Sequence, residues 1–482
     1  MTGALQLDGT ITANGAGELP DRLGGGAGGS ILVATGILSG SGVFSAAGAD
    51  AGSGNAGGGS GGRIAVSYRD AAPFTGFTAA TAGVGNGFRP GEPGTVAFFD
   101  TSTSPPQLHV YQQLAFDEDS SLTYDAIILD NGATLRVGGG STLDIIGALT
   151  LRGRSTLLLE GQNTSGLVNG EWRGAGVIID AANVTVAAGS AISAAGQGYL
   201  GSVGPGAGAS EPRCNAAAGG GGGGYGGAGG QGQLGAAGGI PYGSPLAPTD
   251  LGSGGGNNPG CGQTSAANAG GGAIRLNVTG ALQLEGAITV NAAGELPERL
   301  GGGAVYVTTA TLLGAGLFSA DGADAGSTNA GGGGGGRVAV HYASGAAFTG
   351  FGASTAHGGT GSATGKPGKV NLIDTVCDGD CNSDSSVTID ELIKAVNIAL
   401  GTLLPNACPA VDSDGNGLVT IDDLIRAVNR ALNGCGEFFT PGIAAGLDGP
   451  AAGLDGAAPV PSNDMTSVGS HAGTPTTTPH SL

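Results

Sequence analysis

Aromatic residues make up only 4% of this 482-residue chain, and charged residues only 11%. Lysine occurs just at Lys366, Lys369 and Lys394, and tryptophan once. So few large side chains cannot build an ordinary layered core. So few Lys and Arg, at a formal net charge of −20, exclude nucleic acid as a partner, because that binding needs clustered cations. No apolar run is long enough to cross a bilayer, so no membrane span is predicted. The N-terminus lacks the basic-then-apolar pattern of a signal peptide.

What is abundant is glycine, 105 residues, beside 40% hydrophobic residues that are mainly Ala, Val, Leu and Ile. That apolar content argues against plain disorder. Short runs such as "RIAVSY" and "NVTVAAGSAISAAG" alternate apolar and small polar residues, then stop at Gly or Asn-Gly. Such runs are half-buried strands. A sandwich or barrel would fit, but the small-residue corners and few aromatics favour a β-solenoid of stacked rungs. The expected fold is therefore mainly β, a right-handed parallel β-helix or solenoid with glycine-rich loops, followed by a small α-helical domain.

The chain also carries a long duplication. "TGALQLDGTITANGAGELPDRLGGGA" begins at Thr2 and "TGALQLEGAITVNAAGELPERLGGGA" at Thr279. After a three-residue deletion, "FSAAGADAGSGNAGGGSGGRIAVSY" aligns with "FSADGADAGSTNAGGGGGGRVAVHY", and "FTGF" recurs at Phe74 and Phe348. "AGGGAIRLNV" leads into the second copy, while the first has only Met1 there. Met1 is thus expected to start inside a structural unit, with any signal peptide lying upstream. The predicted divisions are a partial repeat at 1–101, further β structure at 102–278, the second copy at 279–375, a module at 376–436 and a disordered tail at 437–482. Within 201–272, nearly side-chain-free glycine runs read as loops projecting from a rung, since ordering glycine costs entropy. A Cys214–Cys261 bridge would offset that cost by closing the loop.

Residues 1–375 resemble the glycine-rich β-helix repeats of large bacterial exported proteins. "GGGGYGGAGGQG", "PTDLGSGGG", "GGGAIRLNVTGALQLEGAITVN" and "GGGGGGRVAVHY" carry the resemblance. It implies an architecture and almost nothing about activity.

Two acidic stretches follow, "DCNSDSSVTIDEL" from Asp380 and "DSDGNGLVTIDDL" from Asp412. Oxygen-bearing residues at alternate positions, then a carboxylate at the twelfth, wrap a chain around calcium. The first loop offers Asp380, Asn382, Asp384, the Ser386 carbonyl, Thr388 and Glu391. The second offers Asp412, Asp414, Asn416, the Leu418 carbonyl, Thr420 and Asp423. Gly417 fills the sharp sixth position of the second loop; Ser385 stands there in the first. Each loop runs into a helix, "ELIKAVNIALG" or "DLIRAVNRALNG". Leu392, Ile393, Val396, Ala399 and Leu400 match Leu424, Ile425, Val428, Ala431 and Leu432 in register, giving each helix one apolar stripe.

Two loop-then-helix units over residues 377–435 resemble a type I-like dockerin, the calcium-dependent docking module of bacterial secreted assemblies. The resemblance implies two Ca2+ ions that order the fold and a helical face for a cohesin-like protein or surface assembly. Empty loops of like charge repel, so metal binding should couple to folding. At the tenth and eleventh loop positions many dockerins carry small hydroxyl residues. Here stand Ile389–Asp390 and Ile421–Asp422, which puts the partner class in doubt and leaves an intramolecular stabilising role open.

The six cysteines group as Cys214/Cys261 and Cys377/Cys381/Cys408/Cys435, favouring disulfides and an extracellular or cell-surface location. The dockerin resemblance implies Cys377–Cys435, since the family brings the module's ends together. A four-cysteine zinc site is the rival, though it usually draws on close CxxC pairs. The five His residues form no motif, and GxGxxG matches such as Gly227–Gly232 lack a βαβ setting. "ELPDR" and "ELPER" offer Glu18, Asp21 and Arg22 and their counterparts Glu295, Glu298 and Arg299 as a carbohydrate-active cluster, though a solvated turn fits them better. The expectation is therefore a non-enzymatic, exported scaffold or adhesin docked through its calcium module, with polysaccharide as a second kind of ligand. The alternatives are a β-helix polysaccharide lyase or hydrolase on the same module, and an adhesin with the calcium pair as a cap.

Overall fold

The computed structural model describes residues 3–16, 23–52, 54–71, 73–262, 269–292, 300–345, 347–374, 377–382, 386–412 and 417–434. All belong to one compact unit, Met1–Phe439. The tail expected at 437–482 lies outside the described residues.

Among the described residues the fold is mainly β, with two α-helices after the last strand. Strands of successive repeats pair in parallel. Leu143 lies opposite Ile179, Ile179 opposite Leu276, Leu276 opposite Val307, and Val307 opposite Val340. Period two sends alternate side chains inward: Val305 and Val307 are fully buried, whereas Tyr306 and Thr308, which alternate with them, are half exposed. Stacked inward Leu, Ile and Val form the main core. The sheet is not the solenoid that was expected. Among the described residues eighteen strands join in one sheet that includes an antiparallel pair, Thr95–Asp100 with Gln107–Val110, and two further two-stranded ladders stand apart.

Three long strands, Thr142–Leu151, Val177–Val186 and Ala273–Leu284, bend at stacked positions. Their register slips after Ile145, Ala181 and Val278, which lie opposite one another. The duplicated "FTGF" contributes core: Phe74 and Phe77 meet edge to face at 5.0 Å, and Phe348 and Phe351 at 4.8 Å.

The glycine-rich segment overturns the expectation of projecting loops. Gly219–Gly224 and Leu251–Gly256 are buried. Extended glycine runs hydrogen-bond sideways to one another, Gly222 N to Gly230 O, Gly230 N to Gly332 O, and Gly227 N to Gly335 O. They pack against the second copy of the repeat. Only absent side chains permit this spacing: a Cβ on Gly222 would lie 1.9 Å from Gly332 O. Tyr199, Tyr225 and Leu251 fill a small apolar cluster beneath. The Cys214–Cys261 disulfide forms as expected and closes the segment.

Candidate functional site

Beyond the last strand, Lys369–Asp374, come helices α1 (Ile389–Ala399) and α2 (Ile421–Asn433). Both start alike. Thr388 caps α1 and Thr420 caps α2, each in a reciprocal box with the acid three residues on, Glu391 or Asp423. Thr388 N donates to Glu391 Oε2 at 2.8 Å and Thr420 N to Asp423 Oδ2 at 2.7 Å. The ninth and twelfth loop positions expected as calcium ligands are therefore also what starts each helix.

Glu391 also ties its loop shut, accepting from Cys381 N at 2.8 Å through Oε1. Burial would raise this carboxyl, but the donors of Thr388 and Cys381 outweigh it and hold it below the usual range. In the second loop Asp412 Oδ2 accepts from Gly417 N at 2.8 Å, so the first position reaches the sixth across the turn. Gly417 takes φ 84°, a left-handed conformation that suits glycine. Asp380, Glu391 and Asp423 are all buried. Asn382 and Ser386 are described in the first loop, and Leu418 is exposed in the second. Asp384, Asp414 and Asn416 lie outside the described residues. Among the described residues no three His, Cys, Asp or Glu side chains form a metal-holding group. The buried carboxylates of both loops are nonetheless hard oxygen donors of the kind calcium takes.

Cys381 and Cys408 form a disulfide, so a zinc site of four cysteines is not built. Cys377 is disulfide-bonded as well, and Cys435, its expected partner, lies outside the described residues. Nothing in the sequence pattern pointed to the module's buried ion pair. Arg430, 1% exposed, stands 3.6 Å from Asp378. Burial pushes the Asp378 carboxyl up, against the pull of Arg430.

The apolar stripe divides, a departure from expectation. Ala395 and Ile398 of α1 and Ala427 of α2 turn inward, with Leu392 and Leu424 half-buried. Ala395 and Ile398 share a small core with Cys408 and Val411, and Leu424 packs against it. Ile389, Ile393, Val396 and Leu400 stay exposed, and so do their counterparts Ile421, Ile425, Val428 and Leu432. Each helix thus shows the same four-residue apolar face.

The "ELPDR" and "ELPER" carboxylates fall outside the described residues. Asp321 marks a different polar cluster, which the sequence did not single out. It accepts from Thr355 Oγ1 at 2.8 Å, Ser319 Oγ at 3.0 Å and His357 N at 2.6 Å. So engaged, its carboxylate pins adjacent strand corners together.

Comparison with known proteins finds no matching family profile, no matching curated protein and no matching solved structure.

Proposed function

We propose that the chain is a calcium-dependent docking protein, in which a stacked β scaffold carries a dockerin-like module. The observation that carries this reading is the matched exposed apolar face of α1 and α2. Large contiguous apolar surface is rare on a soluble monomer and marks interaction sites. Asp380, Asn382, Asp384, Ser386, Thr388 and Glu391 would hold one Ca2+, and Asp412, Asp414, Asn416, Leu418, Thr420 and Asp423 the other. Bound calcium would neutralise the buried carboxylates and fix the loops, and with them the two helix faces. The partner this reading calls for is a cohesin-like protein or surface assembly. The disulfides Cys214–Cys261 and Cys381–Cys408 support an extracellular or cell-surface setting. Parallel stacking from Leu143 through Val340 supports a β-helix for the scaffold.

The test is a calcium titration of the full chain by calorimetry and far-UV circular dichroism. Two sites should bind below millimolar calcium with a gain of helix, and paired Asp380→Ala and Asp412→Ala changes should abolish both. Helix at full strength in chelator, with no heat of calcium binding, would leave the pair as a disulfide-held cap.

A further inference from the structure

We propose that the bend of the sheet at Asn277, Thr308 and His341 is a binding groove for a neutral polysaccharide chain. An open pocket of about 480 Å³ lies there, across three adjacent strands. Asn277, Thr308 and His341 are register partners on the strands Ala273–Leu284, Ala304–Leu313 and Arg337–Ser344, and all three face outward. Thr279, Ala310 and Ala343 line the pocket from beyond the bend. Asn277, Thr308 and His341 thus stand on one side and small residues on the other, with more apolar than polar surface exposed between them.

The polar wall continues past the pocket. Asp180 lies opposite Asn277 and Asp144 opposite Asp180. Thr308 Oγ1 donates to Asn277 Oδ1 at 3.2 Å, and Asn277 Nδ2 to Asp180 Oδ1 at 2.6 Å. Five polar side chains thus cross the strands at one per rung, about 4.8 Å apart, the Asp144 and Asp180 carboxylates as acceptors only. That spacing suits a linear chain of pyranose units, each bringing hydroxyls to the wall. At the far end His341 Nε2 donates to Leu246 O at 2.8 Å and Asn371 Nδ2 to Pro245 O at 2.7 Å, so the segment around Leu246 meets the sheet there. Tyr306 stands beside Thr308 on the same face. Arg275 lies 5.9 Å from its ring centre and the His341 ring meets it edge-on at 5.5 Å. A held aromatic ring beside hydroxyl and amide groups is chemistry that recognises sugars.

An extended peptide is a poorer occupant. The Ala304–Leu313 strand is paired on both sides, so no backbone edge is open for strand addition. A polyanion is poorer too, since Asp144 and Asp180 lie in the wall.

The duplication supplies an internal comparison. Inward positions keep their character, Ile31 and Val33 against Val305 and Val307, Ile64 and Val66 against Val338 and Val340. The outward positions differ: Leu32, Ala34 and Ser67 in the first copy become Tyr306, Thr308 and His341 in the second. The inward core needs none of these three changes; Thr308 and His341 line the groove with Tyr306 beside them, and His341 also reaches Leu246 O.

The experiment is calorimetric titration of the full chain with neutral hexasaccharides: cellohexaose, xylohexaose and mannohexaose. At least one should bind saturably below millimolar concentration. The triple change Tyr306→Leu, Thr308→Ala, His341→Ser installs the first copy's residues on the same strands, and Ala310→Trp fills the groove without removing a hydrogen bond. Either should weaken binding at least about tenfold, or 1.4 kcal/mol, with the unfolding midpoint unchanged in Ala310→Trp and lowered in the triple variant by its lost bonds to Leu246 and Asn277. No binding of any neutral hexasaccharide, stronger binding of hexagalacturonate, or full affinity in both folded variants would overturn the proposal. If Ala310→Trp does not fold, the triple variant decides alone.

Discussion

Arg63 and Arg337 open the same strand in the two copies of the repeat, "RIAVSY" and "RVAVHY", yet their surroundings differ. Arg63 is exposed, whereas Arg337 is only 8% exposed under the glycine-rich segment. The contrast runs through both copies. Ser30 and Leu32 are exposed; their counterparts Ala304 and Tyr306 are fully buried and half-buried. Gly331–Gly336 are all buried, and of the matching residues 57–62 only Gly59 and Gly62 are. One strand-forming pattern thus serves two environments. What differs is a partner: the segment around Gly222–Gly230 lies on the second copy. Sequence follows that difference at one telling place. Gly28 and Gly302 occupy equivalent positions, donating to Ser60 O and Gly334 O. The residue before Gly28 is the exposed Ala27, and the residue before Gly302 is the buried Gly301, where a Cβ would come within 3.0 Å of Gly224 O.

If the segment makes the difference, loosening it should make the copies alike. The Cys214–Cys261 disulfide closes a loop of sequence separation 47. By chain entropy such a crosslink contributes up to about 4 kcal/mol. Replacing both cysteines by Ala should lower the unfolding midpoint and speed amide exchange at Gly301–Gly303 and Gly331–Gly336. Exchange at residues 24–29 and 57–62 should not change. Equal acceleration in both copies would mean that the segment does not stabilise the second copy selectively.

A paired substitution reads the same contrast at one site. Ala304 packs against the cluster of Tyr199, Tyr225 and Leu251, and Ser30 faces water. Ala304→Lys should cost about 3 kcal/mol, because the ammonium would be buried without a partner. Ser30→Lys should fall within about 0.5 kcal/mol of the parent in denaturant titrations. Similar costs at the two sites would contradict the burial difference.

Strand pattern, duplication and the presence of both helices were legible in the sequence, because they depend on local alternation and periodicity; the helix starts at Ile389 and Ile421 lie two residues before the expected ones, since Thr388 and Thr420 were read as ligands and not as caps. The glycine packing was not legible. Its hydrogen bonds join backbones over a hundred residues apart, as Gly227 to Gly335, and a run without side chains carries no pattern of which neighbour it will meet. For the same reason Gly219–Gly224 read as loop although they are core. The helix stripe was legible as apolar, but its division was not. Which of Leu392 and Ile393 turns inward depends on where Cys408 and Val411 sit, and that is a tertiary fact. The polar wall from Asp144 to His341 was hidden likewise, since only strand register aligns residues so far apart in the chain.

The smallest effect in the comparison is the sharpest, because the side chain is the same in both copies. Arg337 places its guanidinium carbon 5.6 Å from the Tyr225 ring centre and donates from Nε to Tyr242 O at 3.1 Å. Both partners belong to the overlying segment, and Arg63 has no such cover. Arg337→Ala should therefore cost about 1–2 kcal/mol, the order of one cation–π contact at 5.6 Å and one neutral-acceptor hydrogen bond. Arg63→Ala should cost less than about 0.5 kcal/mol. Arg337→Lys separates charge from shape. A lysine keeps the cation but lacks the planar fork that stacks and donates at once, so it should recover only part of the loss. Full recovery would mean that charge alone matters there. No loss in Arg337→Ala would mean that the segment stays on the second copy by its glycine contacts, without the arginine.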